Sequence, residues 1–421
     1  MMLLLGTATG FAQDASGTCG DNLTWTLASG TLIISGNGEM KFSGSQGAPW
    51  RSYRTSITSV VIEGGVTNIY YAAFSEYSNL TSVSIGNGVK SIQDNAFRSC
   101  SSLPSVTIPE SVTNIGNYVF SGCSNLASIT IGNGVTSIEE HAFDGCSSLT
   151  SVSIPNNVTS IGKYAFYHCS SLASVSIGNG VTSISVGTFS DCGSLTSVTI
   201  GNGVTSIGDY AFKNCSSLAS VSIPGSVASI GEWAFSDCSS LASVSIGNGV
   251  TSIGGSAFSD CSSLTSVTIG NSVTSIAGLV FSDCSKLISV TNLNPEPQTI
   301  PSTVFATVIF KNATLYVPAA SVNAYKAKNV WKNFYNITEY IPSAIESPVA
   351  EGGIGIYPNP VTESFRIDGI TAPTQVIVTD LSGRTVWTQT ISGNEPVAVG
   401  HWPQGIYLVR AGSKTLKVVK R

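Results

Sequence analysis

The chain has 421 residues, a net charge of −5, and 42% hydrophobic against only 10% charged residues. This composition excludes a disordered polyelectrolyte, because the chain has ample apolar surface from which to build a core. So few lysines and arginines also provide no electrostatic footprint for nucleic acid. Length alone predicts two or three domains, unless a repeat array intervenes.

Residues 1–13 resemble the apolar centre of a secretory signal peptide. Met1 to Leu5 begin an apolar run, and Gly10 and Ala12 supply the small residues that a cleavage site needs. The basic segment that normally precedes such a run is missing. Two interpretations therefore stay open, a truncated signal peptide and an unstructured N-terminus. No later stretch reaches the roughly 18 uncharged apolar residues of a membrane-spanning helix. The sequence therefore predicts a secreted chain without a transmembrane segment.

Residues 14–56 show no repeat and are predicted to form an N-terminal β cap. The segments Trp25–Leu27 and Thr31–Ser35 alternate in hydrophobicity and flank turn residues, which is typical of a β-hairpin. A cap is needed there because the uncovered end of a repeat stack exposes apolar surface and a strand edge.

Residues 57–290 are dominated by a period of 23 residues. Nine of the ten cysteines fall on it, from Cys100 to Cys284, and phenylalanine recurs on it ten times, from Phe74 to Phe281. The absence of any Cys-x-x-Cys pair gives no support to a zinc site or a thioredoxin-like motif. A fixed period of this length predicts a stack of structural repeats.

Each repeat contains two short extended segments and one tight turn. Leu-x-x-Val-x-Ile ends in period-two alternation and predicts a strand, which Gly or Pro then breaks. Val-x-x-Ile predicts a second short strand, and Ala-Phe-x-x-Cys predicts a small helical turn with Phe and Cys facing inward. Since one unit cannot bury its apolar stripe alone, the units must stack, which places Leu on Leu, Val on Val and Phe on Phe. We expect a β-rich solenoid of ten coils.

The repeated motif resembles the BspA-like leucine-rich repeats, a group found in bacterial surface proteins. The resemblance covers about residues 57–290 and rests on Cys-Ser-x-Leu-x-Ser-Val-x-Ile-x-x-x-Val-x-x-Ile-x-x-x-Ala-Phe. It implies a leucine-rich-repeat solenoid and a role in adhesion, for example to host matrix proteins or to other bacteria. It does not identify the ligand, because repeat folds host many ligands.

The cysteine column has two interpretations. Neighbouring coils place cysteine Cα atoms about 5 Å apart, within disulfide reach. However, side chains in such a column point inward in parallel, and nine in a row cannot all pair. We therefore expect a buried ladder of free thiols that pack as small apolar side chains. Tyr77, which occupies the same column in the first coil, favours this apolar role.

Residues 291–341 are predicted to form a C-terminal cap, and residues 342–352 a linker. Thr314–Pro318 reads as a last strand. Residues 321–334 read as a helix, with Val322, Tyr325, Trp331 and Phe334 as candidate core contacts.

Residues 353–421 form a third region, whose short strands separated by glycines predict a small immunoglobulin-like β-sandwich. The region resembles the C-terminal sorting domain of the type IX secretion system. The residues that carry the resemblance lie in four ordered motifs, with Pro358, Asn359, Pro360, Gly383, Gly405, Tyr407, Lys417 and Lys420 as the candidate sorting residues. An ordinary fibronectin-like module is the alternative.

The sorting-domain resemblance also implies partners and a location. It implies recognition by the type IX secretion machinery, cleavage of the tail, and display on the outer cell surface of a Gram-negative bacterium. Linkage of the mature protein to surface lipopolysaccharide is a further implication.

The sequence contains no catalytic motif that we can recognise. It has no Gly-x-Ser-x-Gly elbow, no phosphate-binding loop and no His-Glu-x-x-His, so we predict neither catalytic residues nor a cofactor. His141 and His168 lie near one edge of adjacent coils, and Asp237, Asp260 and Asp283 share a column. A metal site there would need further ligands, and exposed side chains or local caps are the simpler interpretation, so no metal site is predicted.

Two sets of residues are candidates for a binding face. Serines and threonines flank the inward valine of each main strand and should line the outer face of the sheet, beginning with Ser82, Ser84, Ser105, Thr107, Ser128, Thr130, Ser151 and Ser153. Aromatic residues precede the core alanine in several coils and are candidate contact anchors: Tyr118, Tyr164, Tyr210 and Trp233. The hydroxyl residues equally serve solubility, and the aromatic residues equally serve packing.

The function predicted from the sequence is non-catalytic binding or adhesion at the cell surface, to an extracellular protein or glycan. A targeting module for a secreted enzyme and a passive structural coat protein are the two alternatives.

Overall fold

The computed structural model describes residues 15–42, 47–340, 355–357, 361, 363–368, 370, 372–380, 384–392, 395–411 and 414–420. The predicted signal peptide and linker lie outside these residues. The chain divides into two compact units between residues 340 and 341. No helix in the described ranges is long and apolar enough to cross a membrane.

The first unit begins with the predicted hairpin. Strands β1 (Ala15–Gly20), β2 (Leu23–Ala28) and β3 (Thr31–Gly36) pair antiparallel, and β3 then pairs in parallel with the first repeat strand. Trp50, just before a 3₁₀ turn at Arg51–Tyr53, is buried and stacks on Phe74 with 5.6 Å between ring centroids. Its Nε1 donates to the carbonyl oxygen of Ala73 over 3.1 Å. The hairpin and Trp50 therefore cover the open end of the stack, as predicted.

Each coil contributes one longer strand to a main parallel sheet. These strands are β4 (Ser59–Ile62), β6 (Ser82–Ile85), β8 (Ser105–Ile108), β10 (Ser128–Ile131), β12 (Ser151–Ile154), β14 (Ser174–Ile177), β16 (Ser197–Thr199), β18 (Ser220–Ile223), β20 (Ser243–Ile246), β22 (Ser266–Ile269) and β24 (Ser289–Asn292).

A two-residue strand from each coil forms a second parallel sheet. Its members are β5 (Asn68–Ile69), β7 (Ser91–Ile92), β9 (Asn114–Ile115), β11 (Ser137–Ile138), β13 (Ser160–Ile161), β15 (Ser183–Ile184), β17 (Ser206–Ile207), β19 (Ser229–Ile230), β21 (Ser252–Ile253) and β23 (Ser275–Ile276).

The second sheet runs unbroken through its ten strands, whereas the main sheet is divided into segments. One division lies between β6 and β8. At the start of β6, the backbone N–H of Thr81 donates to the oxygen of Thr58 in the preceding coil. The equivalent residue before β8 is Pro104, which has no N–H to donate. The proline thus removes one main-sheet hydrogen bond at this division, while the pairing of β7 with β9 in the second sheet still joins the two coils.

The core consists of columns of identical side chains, as the period predicts. From Phe74 to Phe281 the rings stack face to face with centroids 5.0–5.7 Å apart and planes within 15°, and Phe305 extends the stack by one more ring. All of these rings are fully or almost fully buried. The phenylalanine column is therefore the continuous core of the solenoid.

The cysteine column is a ladder of free, buried thiols, as expected. From Cys100 to Cys284, each Sγ donates to the carbonyl oxygen of the phenylalanine 26 residues earlier, over 3.1–3.3 Å. Each thiol therefore satisfies a carbonyl group of the neighbouring coil, which gives the column a bonding role as well as a packing role.

The Ala-Phe-x-x-Cys segments form consecutive hydrogen-bonded turns rather than the small helix that we expected. Two residues in each coil adopt the left-handed region, which breaks a right-handed helix. One precedes the core alanine, with φ from +51° at Ala72 to +62° at Leu279. The other precedes the cysteine position, with φ from +54° at His168 to +74° at Gly122. The core orientation of Phe and Cys nevertheless agrees with the prediction.

The C-terminal cap continues the main sheet with β25 (Thr314–Val317) and β26 (Asn336–Glu339). The single helix predicted for residues 321–334 is wrong. The chain instead forms a 3₁₀ turn at Ala319–Ser321 and then α2 (Val322–Ala327), which ends at the extended Lys328. A second 3₁₀ turn covers Trp331–Asn333. A further helix, α1 (Thr307–Asn312), precedes β25.

Burial of Trp331 explains the broken helix. Its ring packs 5.9 Å from Phe305, the last ring of the stack, and its Nε1 donates to the carbonyl oxygen of Gln298 over 2.9 Å. To reach that position the chain takes a left-handed conformation at Val330, with φ of +68°. Closing the aromatic stack therefore overrides the local helical pattern.

The second unit consists of two antiparallel sheets, as predicted. One contains β27 (Gly355–Tyr357), β28 (Ser364–Asp368) and β31 (Pro396–Ala398). The other contains β29 (Thr374–Asp380), β30 (Thr385–Ile391), β32 (Gly405–Ala411) and β33 (Lys414–Lys420). Phe365, Val378 and Val409 are among the fully buried residues between them.

We predict that Phe189→Ala, in the middle of the ring stack, lowers the free energy of unfolding by about 3–5 kcal/mol, because it removes a buried ring and leaves a cavity. The urea midpoint of the full chain measures the loss. Tyr335→Ala is the control, since this side chain is 79% exposed and its removal should change stability by less than about 0.5 kcal/mol. Equal midpoints for the two variants would contradict a core role for the stack.

We also predict that the fold loses stability in alkali. Burial raises the pKa of Cys192 and of Cys238 to about 12. Unfolded thiols ionise near pH 8.5, so the thiol contribution is complete below that pH and is lost as the pH rises toward about 12. Urea midpoints measured between about pH 8 and pH 11 should fall steadily. The double variant Cys192→Ala and Cys238→Ala should make this dependence less steep, while the remaining buried thiols, such as Cys169, still contribute. An equally steep fall in that variant would refute the explanation.

Candidate binding surface

The outward hydroxyl groups of the main sheet form one continuous surface. It comprises residues 82 and 84 and their equivalents every 23 residues up to 266 and 268, all of them serine or threonine, and we call it the hydroxyl face. All eight residues that the sequence nominated here are exposed, while Val152 and Ile154, which alternate with two of them, are buried. The surface carries no charged side chain.

Several threonine columns elsewhere on the solenoid are committed to the fold. Threonines just before the main strands, such as Thr196, donate Oγ1 to the carbonyl oxygen of the residue 23 positions earlier. Threonines beside the second sheet, such as Thr136 and Thr205, do the same over 2.9–3.0 Å. Within residues 47–340, no hydroxyl of the hydroxyl face makes such a bond to the protein. This surface therefore keeps its hydrogen-bonding capacity for an external partner.

The four nominated aromatic residues lie on a different segment of the coil, in the turn that follows the second sheet. Tyr118 and Tyr164 sandwich His141, with centroid distances of 4.7 and 5.1 Å. The ring of Tyr164 then lies directly over Gly187, where a Cβ atom would collide with it. These rings thus pack their faces on each other and on Gly187.

Tyr210 and Trp233 make a separate contact in the same column. The ammonium group of Lys213 lies 5.8 Å from the Tyr210 ring centroid and 5.4 Å from that of Trp233. This is cation–π geometry, worth about 0.5–1 kcal/mol at exposed sites. The structure therefore places the two candidate sets, the hydroxyl residues and the aromatic residues, on different segments of each coil.

The aspartate column has a conformational explanation that the sequence analysis missed. Asp237, Asp260 and Asp283 all occupy the left-handed position before cysteine, with φ of +62°, +59° and +56°. Asp, Asn, His and Gly tolerate this region best, and the column contains all four types. This mixture of residue types was the signal in the sequence that could have revealed the left-handed conformation. Burial, reinforced by the charges of Asp237 and Asp283, raises the pKa of Asp260.

The two histidines of the repeats fall in different columns. His141 lies in the aromatic stack and its Nδ1 is 3.0 Å from Oδ2 of Asp144, whereas His168 stacks on Tyr167 at 3.8 Å. Among the described residues, no group of three or more His, Cys, Asp or Glu side chains is placed to hold a metal ion.

Three of the candidate sorting residues have a defined place in the second unit. Gly405 begins β32, and Tyr407 is buried two residues later, where its hydroxyl donates to the carbonyl oxygen of Pro403 over 2.8 Å. Lys420 ends β33 and is mostly buried. Lys417 lies in β33, but its side chain is outside the described part, as are Pro358, Asn359, Pro360 and Gly383.

Residues 380–384, Asp-Leu-Ser-Gly-Arg, are one of the four motifs that carry the sorting-domain resemblance. Asp380 accepts hydrogen bonds from the backbone N–H of Arg384 over 3.1 Å and from its Nε over 3.0 Å. The aspartate and arginine of the Asp-Leu-Ser-Gly-Arg motif therefore hold the connection between β29 and β30, which explains why both residue types occur at this spacing.

Comparison with known families agrees with both units. Overlapping matches to the BspA-type leucine-rich repeat region run from residue 52 to residue 329. Residues 355–421 match the secretion system C-terminal sorting domain, which indicates a secreted protein that is attached to the cell surface. No curated protein matches the chain.

Two solved structures illustrate the likeness. A leucine-rich repeat protein from Bacteroides ovatus is 26% identical, with a TM-score of 0.54 over 75% of this chain and 87% of that one. A leucine-rich cell surface protein from Faecalibacterium prausnitzii is 25% identical, with a TM-score of 0.37 over 78% of this chain and 96% of that one. With its repeats matched over more than half of its length, this chain belongs to the BspA-type leucine-rich repeat proteins.

Proposed function

We propose that this surface protein binds extracellular partners without catalysis, as an adhesin for host proteins, glycans or other cells. The observation that carries the proposal is the hydroxyl face, whose donors and acceptors are free of bonds to the protein while the other threonine columns are bonded. The display site, in this proposal, is the outer surface of a Gram-negative bacterium, reached through the type IX machinery and maintained by linkage to lipopolysaccharide.

The rigidity of the hydroxyl face supports a binding role. Its residues stand on strands whose partners lie in register, as in the pairing of Ser174 with Ser197 and of Ser220 with Ser243. A partner therefore meets groups that are already positioned, and binding loses less conformational entropy than it would on a loop.

We predict that Ser174→Glu together with Ser220→Glu weakens partner binding at least about tenfold, because an unpaired carboxylate must be desolvated at the contact. Binding of the purified full chain is measured on an array of extracellular matrix proteins and glycans, and on intact cells. The matched control is Ser160→Glu with Ser275→Glu, which places the same change at exposed serines of the second sheet.

The outcomes of this experiment separate the proposal from its alternatives. Loss in the first pair alone supports recognition by the hydroxyl face. Binding that both pairs retain would contradict it, and a wild-type chain that binds nothing on the array or on cells would favour a passive coat. Hydrolase activity in the purified chain would instead favour an enzyme.

A further inference from the structure

The hydroxyl face is bordered by a groove of about 570 Å³ at the C-terminal ends of β12, β14 and β16. Its lining includes three hydroxyl residues, Ser153, Ser176 and Thr199, and four asparagines of one column, Asn133, Asn156, Asn179 and Asn202. The three strands belong to one hydrogen-bonded segment of the main sheet, so the groove has a rigid floor. None of its lining residues is charged.

The asparagines form a ladder that fixes their side chains. The backbone N–H of Asn179 donates to Oδ1 of Asn156 over 2.9 Å, and the backbone N–H of Asn202 donates to Oδ1 of Asn179 over 2.9 Å. Because a backbone N–H can only donate, the oxygen of each side-chain amide must face it, and this settles the orientation of the amide. Within residues 47–340, the Nδ2 groups of Asn156 and Asn179 have no hydrogen-bond partner.

The groove therefore presents fixed, unpaired amide donors beside free hydroxyl groups. Both sets repeat once per coil, at the spacing of parallel strands, about 4.8 Å. The charge on the ligand is constrained as well, since no cation is present in the lining to meet an anionic group and no carboxylate to meet a cation. A ligand matched to this site is neutral, rich in hydroxyl groups and extended along the solenoid axis.

We propose that this groove binds a neutral glycan chain, with successive sugar units over successive coils. A pyranose ring is similar in length to the roughly 4.8 Å spacing of the strands, so each unit meets the same amide and hydroxyl pair. An extended peptide rises only about 3.3 Å per residue and falls out of step with the coils. The hot spots of protein interfaces are also enriched in tryptophan, tyrosine and arginine, and the lining contains none of these.

This inference rests on the proposed binding function and specifies its ligand class. Asn156→Asp and Asn179→Asp, made separately, test it in the full chain. Each change keeps an oxygen that accepts the neighbouring N–H and replaces the free Nδ2 donor by a second carboxylate oxygen. Asn248→Asp is the matched control, because Oδ1 of Asn248 accepts the N–H of Asn271 in the same way but lies outside the groove.

The probes are unbranched neutral oligosaccharides of glucose, of galactose and of mannose, in a series of increasing length, titrated by calorimetry. We expect measurable binding that strengthens with length until the chain spans the groove. Either groove variant should weaken it about tenfold, since a hydrogen bond is lost and a charge is left unpaired. Asn248→Asp should bind like the wild type, and all variants should keep the wild-type urea midpoint.

Three results would overturn the inference. The first is equal binding by the groove variants and the wild type. The second is equal loss in Asn248→Asp. The third is binding to extracellular proteins or anionic glycans, with none to the neutral series; the adhesive function would then stand without this ligand class. If no partner of any kind is bound, the proposed function fails as well.

Discussion

The solenoid depends on one constraint: each side chain of a column lies over the equivalent side chain of the neighbouring coil. Such a column is stable only if the residue tolerates itself as a neighbour. Phenylalanine does so by stacking, threonine by donating to the preceding carbonyl, and cysteine by donating to the carbonyl of a neighbouring phenylalanine. Like charges do not, because directly opposed like charges on neighbouring strands repel. Burial raises the pKa of Asp260, and the like charges of Asp237 and Asp283 in the same column raise it further.

The same constraint shapes what the protein can recognise. A surface repeated at every coil must avoid charge, and the hydroxyl face accordingly consists of serine and threonine, with asparagines beside it at the groove. Its selectivity must come from hydrogen-bond geometry rather than from electrostatic steering. A neutral, repetitive ligand suits such a surface better than a highly charged one, which connects the composition of the chain to the glycan groove.

The sequence predicted the features that follow from the 23-residue period, and it missed the features that depend on single residues. The phenylalanine stack, the thiol ladder and the exposed hydroxyl residues all follow from spacing alone. The helix predicted over residues 321–334 failed because the apolar spacing gave no sign that Trp331 would close the ring stack. The groove was missed because its defining feature is the direction of amide groups, which depends on a backbone N–H in the next coil. The left-handed turn was missed because tyrosine and tryptophan share its column with Asn95 and Gly187.

Those aromatic residues show how the repeat tolerates local strain. A non-glycine residue in the left-handed region costs about 1–2 kcal/mol. Each aromatic pair stabilises the fold by about 0.5–1.5 kcal/mol. The two ring contacts of Tyr118, His141 and Tyr164 therefore recover part of the backbone cost of these three residues, and they do so by covering ring faces. The hydroxyl face, by contrast, has no internal bonds to give up before it can meet a partner.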